Sequence, residues 1–156
     1  IDPNYLAWVA RSVGFRLRFV ELAQEVSERM PAYVARRVQD ALNRQGKAVK
    51  GAHVVLAGVT YKPNVSDQRE TPARPLASNL EAMGGRVSYV DPMVDKFEVG
   101  GRDLDRISTL SEAIHVADIS VLLQAHDEFL ESTTLDSARC ILDTSGRLAG
   151  PNVDRL

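Results

Sequence analysis

Short apolar runs at 53–58, 86–90, 119–123 and 140–142 constrain this chain more than anything else in it. Each is too short for a helix and rich in Val, Ile or Leu, as a strand buried on both faces would be. Helical patterns lie between the first three. Thr71-Pro72 opens one as cap and first-turn residue, and Gly84-Gly85 closes it. A second spans Leu110–Val116. Strands separated by helices require right-handed crossovers and a parallel sheet. The predicted fold is therefore α/β, a Rossmann-like parallel sheet flanked by helices. Residues 93–108 show no period and read as loop with at most one short strand.

The first fifty residues are built differently. They contain only two glycines, Gly14 and Gly46, and carry a net charge of +4, against −6 for residues 51–156. Asp2-Pro3 starts a short helix that ends near Gly14, with Tyr5 and Trp8 expected in its core. A longer pattern runs from about 15 to 43. Phe19, Leu22, Val26, Met30, Val34 and Val38 share one stripe that keeps its phase across Pro31. One kinked helix of nearly thirty residues is expected, roughly 40 Å long. It packs either on its own domain or on another domain or subunit. The division is thus 1–50, a helical arm, and 51–156, the sheet domain.

Composition excludes several classes of function. A net charge of −2 on 156 residues does not suit a general nucleic-acid binder. The single cysteine, Cys140, excludes an intrachain disulfide and a multi-cysteine zinc site. No apolar stretch approaches the ~20 residues that span a bilayer.

Ligands of an open parallel sheet bind beyond the carboxyl ends of its strands. Four stretches fall there: 59–70, Asp91-Pro92, 124–129 and 143–147. The first lacks the Gly-x-Gly-x-x-Gly turn of a dinucleotide site, having only Gly58, and is far longer. A lysine beside an aromatic, Lys62 and Tyr61, suits a ligand that carries phosphate and a base. The alternative is a solvated loop held by an Asp67–Arg69 pair. His126 beside Asp127 is read as a capping or packing group. Cys140 is read as an inert, buried thiol. His53 and His115 have no partner at metal-ligand spacing.

Gly58-Val59-Thr60-Tyr61-Lys62-Pro63-Asn64, Asp67-x-Arg69-Glu70-Thr71-Pro72 and Val87-Ser88-Tyr89-Val90-Asp91-Pro92 resemble the C-terminal domain of the UDP-glucose/GDP-mannose dehydrogenase family. Ile1-Asp2-Pro3-x-Tyr5-Leu6 resembles the segment after that family's catalytic cysteine, in the form seen in the UDP-N-acetylhexosamine branch. Arg18-Phe19-x-Glu21-Leu22-Ala23 and Met30-Pro31-x-Tyr33-Val34 resemble its central helix. The resemblance implies oxidation of a nucleotide-sugar C6 alcohol to the carboxylate in two NAD-dependent steps, with the aldehyde held on a cysteine thiolate. That cysteine is expected three residues before Ile1, and the NAD-binding domain further upstream.

The same resemblance implies Asp2 as a catalytic acid–base group and Tyr61 and Lys62 as contacts to a UDP-sugar. It also implies a cytoplasmic homodimer joined through the long helix and a chain inactive alone. Asp67, Arg69 and Glu70 are expected to be loop scaffolding. Ser145 stands where many members carry an arginine that reaches the ligand, with Arg147 two residues on. A free-standing nucleotide-binding module is the alternative reading.

Overall fold

The computed structural model describes residues 2–130 and 133–156, without the side chains of Asp2, Asn4, Thr133 and Asp136. The elements in chain order are α1 (Asp2–Ser12), α2 (Arg18–Arg44), β1 (His53–Ala57), α3 (Ala73–Ala82), β2 (Arg86–Val90), β3 (Glu98–Val99), β4 (Arg102–Asp103), β5 (Asp105–Arg106), α4 (Leu110–Val116), β6 (Ile119–Leu122), α5 (Asp127–Leu130), a 3-10 helix (Thr133–Ser137), β7 (Ile141–Asp143) and β8 (Val153–Arg155). Two compact units result, 1–30 and 31–156.

The larger unit is a six-stranded sheet in the order β5-β2-β1-β6-β7-β8, every neighbouring pair parallel. β1 lies at the centre, with Val54 opposite Val87 on one side and Ile119 on the other. Period-two alternation divides its side chains between two cores. Val54 and Leu56 join Val38, Leu42, Leu76 and Leu80, from α2 and α3. Val55 and Ala57 join Ala113, Ile114 and Phe129, from α4 and α5. The unit is therefore three layers, helix on sheet on helix.

The apolar stripe of α2 meets two fates. Val34, Val38 and Ala41 are buried in the larger unit, whereas Phe19 is 89% exposed and Leu22 and Val26 are more than half exposed. The compact division consequently falls at Pro31 instead of near residue 50, because 31–44 supplies part of one core. Arg37 and Arg44 add ion pairs to Asp154 on β8. Burial would raise the Asp154 carboxyl, but the two guanidiniums outweigh it and hold it below its ordinary value.

In the smaller unit, Arg11 pairs with Glu21 at 3.3 Å. Tyr5 and Trp8 stack with centroids 6.0 Å apart, and both are mostly exposed instead of forming a core. Residues 93–108 hold three two-residue strands: β3 and β4 pair as an antiparallel hairpin, and β5 extends the main sheet.

Candidate functional site

Chain order reverses across the sheet at β1. β2 and β5 lie to one side, and β6, β7 and β8 to the other. The crevice between the carboxyl ends of β1 and β6 is the switch point, where open α/β sheets place ligands. The loops after β1 and β6 approach closely there. A Cβ on Gly58 would stand 2.4 Å from the Gln124 carbonyl oxygen, and Gly58 adopts φ +78. Glycine is thus required on both counts.

Four of the sequence-predicted stretches converge on this end. After β2, Asp91 is almost fully buried. Its Oδ2 accepts from the Val59 N–H at 2.7 Å, and its Oδ1 from the Met93 N–H at 2.8 Å. Its backbone carbonyl accepts from Arg106. After β6, His126 is fully buried, with Nε2 3.2 Å from Asp91 Oδ2. The Asn64 N–H donates to its Nδ1 at 2.9 Å. Asn64 Oδ1 in turn accepts from the Asp127 N–H at the start of α5. His126, read from the sequence as a capping or packing group, packs in the core, and its two ring nitrogens also join Asp91 to the loop at Asn64.

This framework carries Tyr61 and Lys62. The Tyr61 N–H donates to the Asp67 carbonyl at 2.7 Å, and its carbonyl accepts from Gln124 Nε2 at 3.1 Å. Thr60 Oγ1 donates to the Lys62 carbonyl at 2.8 Å. The Tyr61 ring is about half exposed, 47%, and the Lys62 ammonium lies 5.6 Å from its centroid. Lys62 Nζ has no ion-pair partner among the described residues. A cation over an exposed ring, on a backbone tied at both ends, can meet a phosphate with the ring alongside.

Asp67 and Arg69 form the expected pair, at 2.9 Å. Hydrogen bonds from the Arg69 side chain and N–H hold the Asp67 carboxyl down at about 2. Arg74 closes the loop from behind. It donates to the Gln68 and Glu98 carbonyls and stacks 4.9 Å over Phe97. Thr71 sits one residue before the cap position of α3, yet its hydroxyl still accepts from the Ala73 N–H.

At the end of β7, Asp143 is fully buried and shapes the next turn. Its Oδ1 accepts from the Ser145 N–H, the Ser145 hydroxyl and the Gly146 N–H, and its Oδ2 from the Leu148 N–H. Ser145 and Arg147 are exposed on that turn. Cys140 lies at the opposite end of the sheet, just before β7, and burial pushes its thiol up. Asp2 is the first residue of α1, and its side chain lies outside the described ones.

Residues 54–149 match the UDP binding domain of the UDP-glucose/GDP-mannose dehydrogenase family. The chain belongs to that family. It is 38% identical over 129 residues to a UDP-N-acetyl-D-mannosamine dehydrogenase of Methanococcus maripaludis, covering 83% of this chain and 27% of that protein. A relative of the same description from Salmonella typhi is 29% identical over 153 residues, covering 94% and 36%. These are the branch that the opening motif resembles.

Among solved structures, the UDP-D-ManNAc dehydrogenase from Pyrococcus horikoshii matches 94% of this chain and 35% of its own, with TM-score 0.78 and 21% identity. The UDP-N-acetyl-mannosamine dehydrogenase Cap5O from Staphylococcus aureus matches 91% and 34%, with TM-score 0.69 and 25% identity. The chain thus spans between about a quarter and a little over a third of the length of these relatives.

The residues present do not fit the NAD pyrophosphate. In a dinucleotide site a glycine-rich turn delivers the strand directly to a helix N-terminus. In this chain α3 begins sixteen residues after the end of β1 (73 − 57), behind the polar loop, and its cap position is Pro72. Among the described residues no cluster of His, Cys, Asp and Glu could hold a metal ion. No helix of the described residues is long and apolar enough to cross a membrane.

Proposed function

We propose that this chain supplies the nucleotide-sugar-binding part of an NAD-dependent nucleotide-sugar 6-dehydrogenase, acting on a UDP-N-acetylhexosamine or UDP-hexose. Membership of the family and the UDP-N-acetyl-D-mannosamine dehydrogenases among its relatives support this. The observation that carries it is the loop after β1, which holds at the switch point Tyr61 and a Lys62 ammonium with no ion-pair partner among the described residues. Lys62 meets the pyrophosphate and the Tyr61 ring packs alongside the nucleotide.

NAD binds to a part of the protein other than these residues, since the turn after β1 does not suit it. Asp2 serves as general base beside a thiol contributed by a segment other than those described. Cys140 does not suit that role, being half-buried at the far end of the sheet with a raised thiol. The chain alone therefore performs no oxidation, and it self-associates through the exposed stripe of α2.

Calorimetric titration of the chain with UDP and separately with NAD tests the reading. Saturable UDP binding with no NAD binding is expected. Absence of UDP binding, or equal affinity for NAD, refutes it.

A further inference from the structure

His126 contacts no part of the surface that would touch substrate, being fully buried, yet its ring joins the carboxyl ends of three strands. It follows β6 itself, faces Asp91 after β2, and receives the Asn64 N–H from the loop after β1. Its edge-on contact with Phe129, centroids 5.3 Å apart, would be made as well by an apolar ring. The two nitrogens are a different matter.

An ionised carboxylate only accepts, so the nitrogen facing Asp91 carries the proton. That leaves Nδ1 bare and able to accept from Asn64. The opposite tautomer would set two donors face to face at Asn64. Asn64 also holds φ +62, a left-handed conformation that residues other than glycine adopt uncommonly. Its side chain returns to the Asp127 N–H, closing a ring of contacts between the two loops. Tyr61 and Lys62 lie three and two residues before this anchor, on backbone otherwise held by Thr60, Asp67 and Gln124.

We propose that His126 is a positioning residue for the nucleotide-sugar. Through its bare Nδ1 it anchors Asn64, and so sets the Tyr61–Lys62 turn in the conformation that receives the ligand. This rests on the function proposed above.

The test separates the two nitrogens. In His126→Asn the amide oxygen can stand near the Nδ1 position and still accept from Asn64. In His126→Gln the amide nitrogen reaches toward Asp91 but Asn64 loses its acceptor. His53→Gln is the control, because His53 is buried at the other end of β1, bonded to Ser88 and Val116. UDP is the probe in calorimetry. Exchange of the Asn64 amide, the thermal midpoint and the ring-nitrogen signals of His126 in the unsubstituted chain are the other readouts.

H126Q is expected to bind UDP about tenfold more weakly, equivalent to ~1.4 kcal/mol, and to exchange its Asn64 amide faster. H126N should retain affinity within about a factor of two, ~0.4 kcal/mol. H53Q should lose thermal stability without losing UDP affinity. The unsubstituted chain should show the Nε2–H tautomer, which needs no variant to fold. An Nδ1–H tautomer overturns the proposal, as does UDP binding by H126Q equal to the unsubstituted chain. An equal loss of affinity in H53Q at matched stability overturns it too, since the effect is then general destabilisation. If the unsubstituted chain binds no UDP, the proposed function fails and this inference with it. If Lys62→Ala weakens UDP while H126Q does not, the function stands and only the positioning role falls.

Discussion

Lys62→Ala isolates the charge at the crevice. The ammonium has no ion-pair partner among the described residues, so removing it breaks no internal bridge. The Tyr61 ring lies 5.6 Å from it, a distance at which an exposed cation–π contact is worth ~0.5–1 kcal/mol at most. A charge-assisted contact to phosphate is worth ~1.5–3 kcal/mol. Binding should therefore weaken roughly ten- to a hundredfold. The thermal midpoint should move by no more than about 2–4 °C, the shift that ~1 kcal/mol causes in a chain of this size. Calorimetry with UDP gives the first number and a thermal melt the second. Lys62→Arg, which keeps the charge, should recover most of the affinity. Unchanged UDP affinity in Lys62→Ala would show that this loop is not the nucleotide site. A large fall in the midpoint would show that the lysine supports the fold.

Gly58→Ala should destabilise the chain by ~2–3 kcal/mol, because it places a Cβ against the Gln124 backbone at φ +78; a thermal melt lowered by about 4–12 °C checks this. Stability should fall on acidification through the pH range just below 6.5. Burial, aided by Arg86, lowers the His53 pKa in the fold. The unfolded chain therefore binds the proton first as pH falls, and stability that is present above 6.5 is lost; urea titrations of the chain and of His53→Gln check this, the variant losing that slope. Asp118, held below its ordinary 3.8 by Lys47 and the His53 N–H, adds a second loss at lower pH, as its carboxyl protonates. Sedimentation of the chain should report a dimer that Phe19→Glu with Val26→Glu converts to monomer, since both side chains lie in the exposed stripe; an unchanged dimer would place the interface elsewhere.

The central strands were legible because burial on both faces leaves a continuous apolar run, as in Val54, Val55, Leu56 and Ala57. β5 was not, since Asp105 and Arg106 are both exposed and charged, and only pairing with β2 makes them a strand. β8 was missed for a related reason: Val153-Asp154-Arg155 has one apolar residue, and Asp154 is secured by arginines more than a hundred positions earlier. Periodicity placed the α2 stripe but could not say that Val34 and Phe19 would be covered so differently. The four loop stretches at the ligand end followed from the shared direction of the strands alone. Within them, His126 and Asn64 could not be paired from the sequence, because sixty-two positions separate them and no spacing rule joins a ring nitrogen to a distant backbone N–H. Strands of one direction, each ending beside its neighbour, are what bring them together.

The borders of the sheet bear on how copies of this chain can meet. An unpaired strand edge is a template on which another chain can add its own backbone. In this sheet one border is the two residues Asp105–Arg106 and the other the three residues Val153–Arg155. Both are shorter than a usual strand and both carry an acid and a base side by side. A second molecule docking there would form few ladder hydrogen bonds while crowding fixed charges, and at the β8 border it would also disturb the arginines of α2. The fold thereby discourages runaway, fibril-like growth through its main chain and leaves association to side chains, where shape and apolar matching can restrict it to a chosen mate.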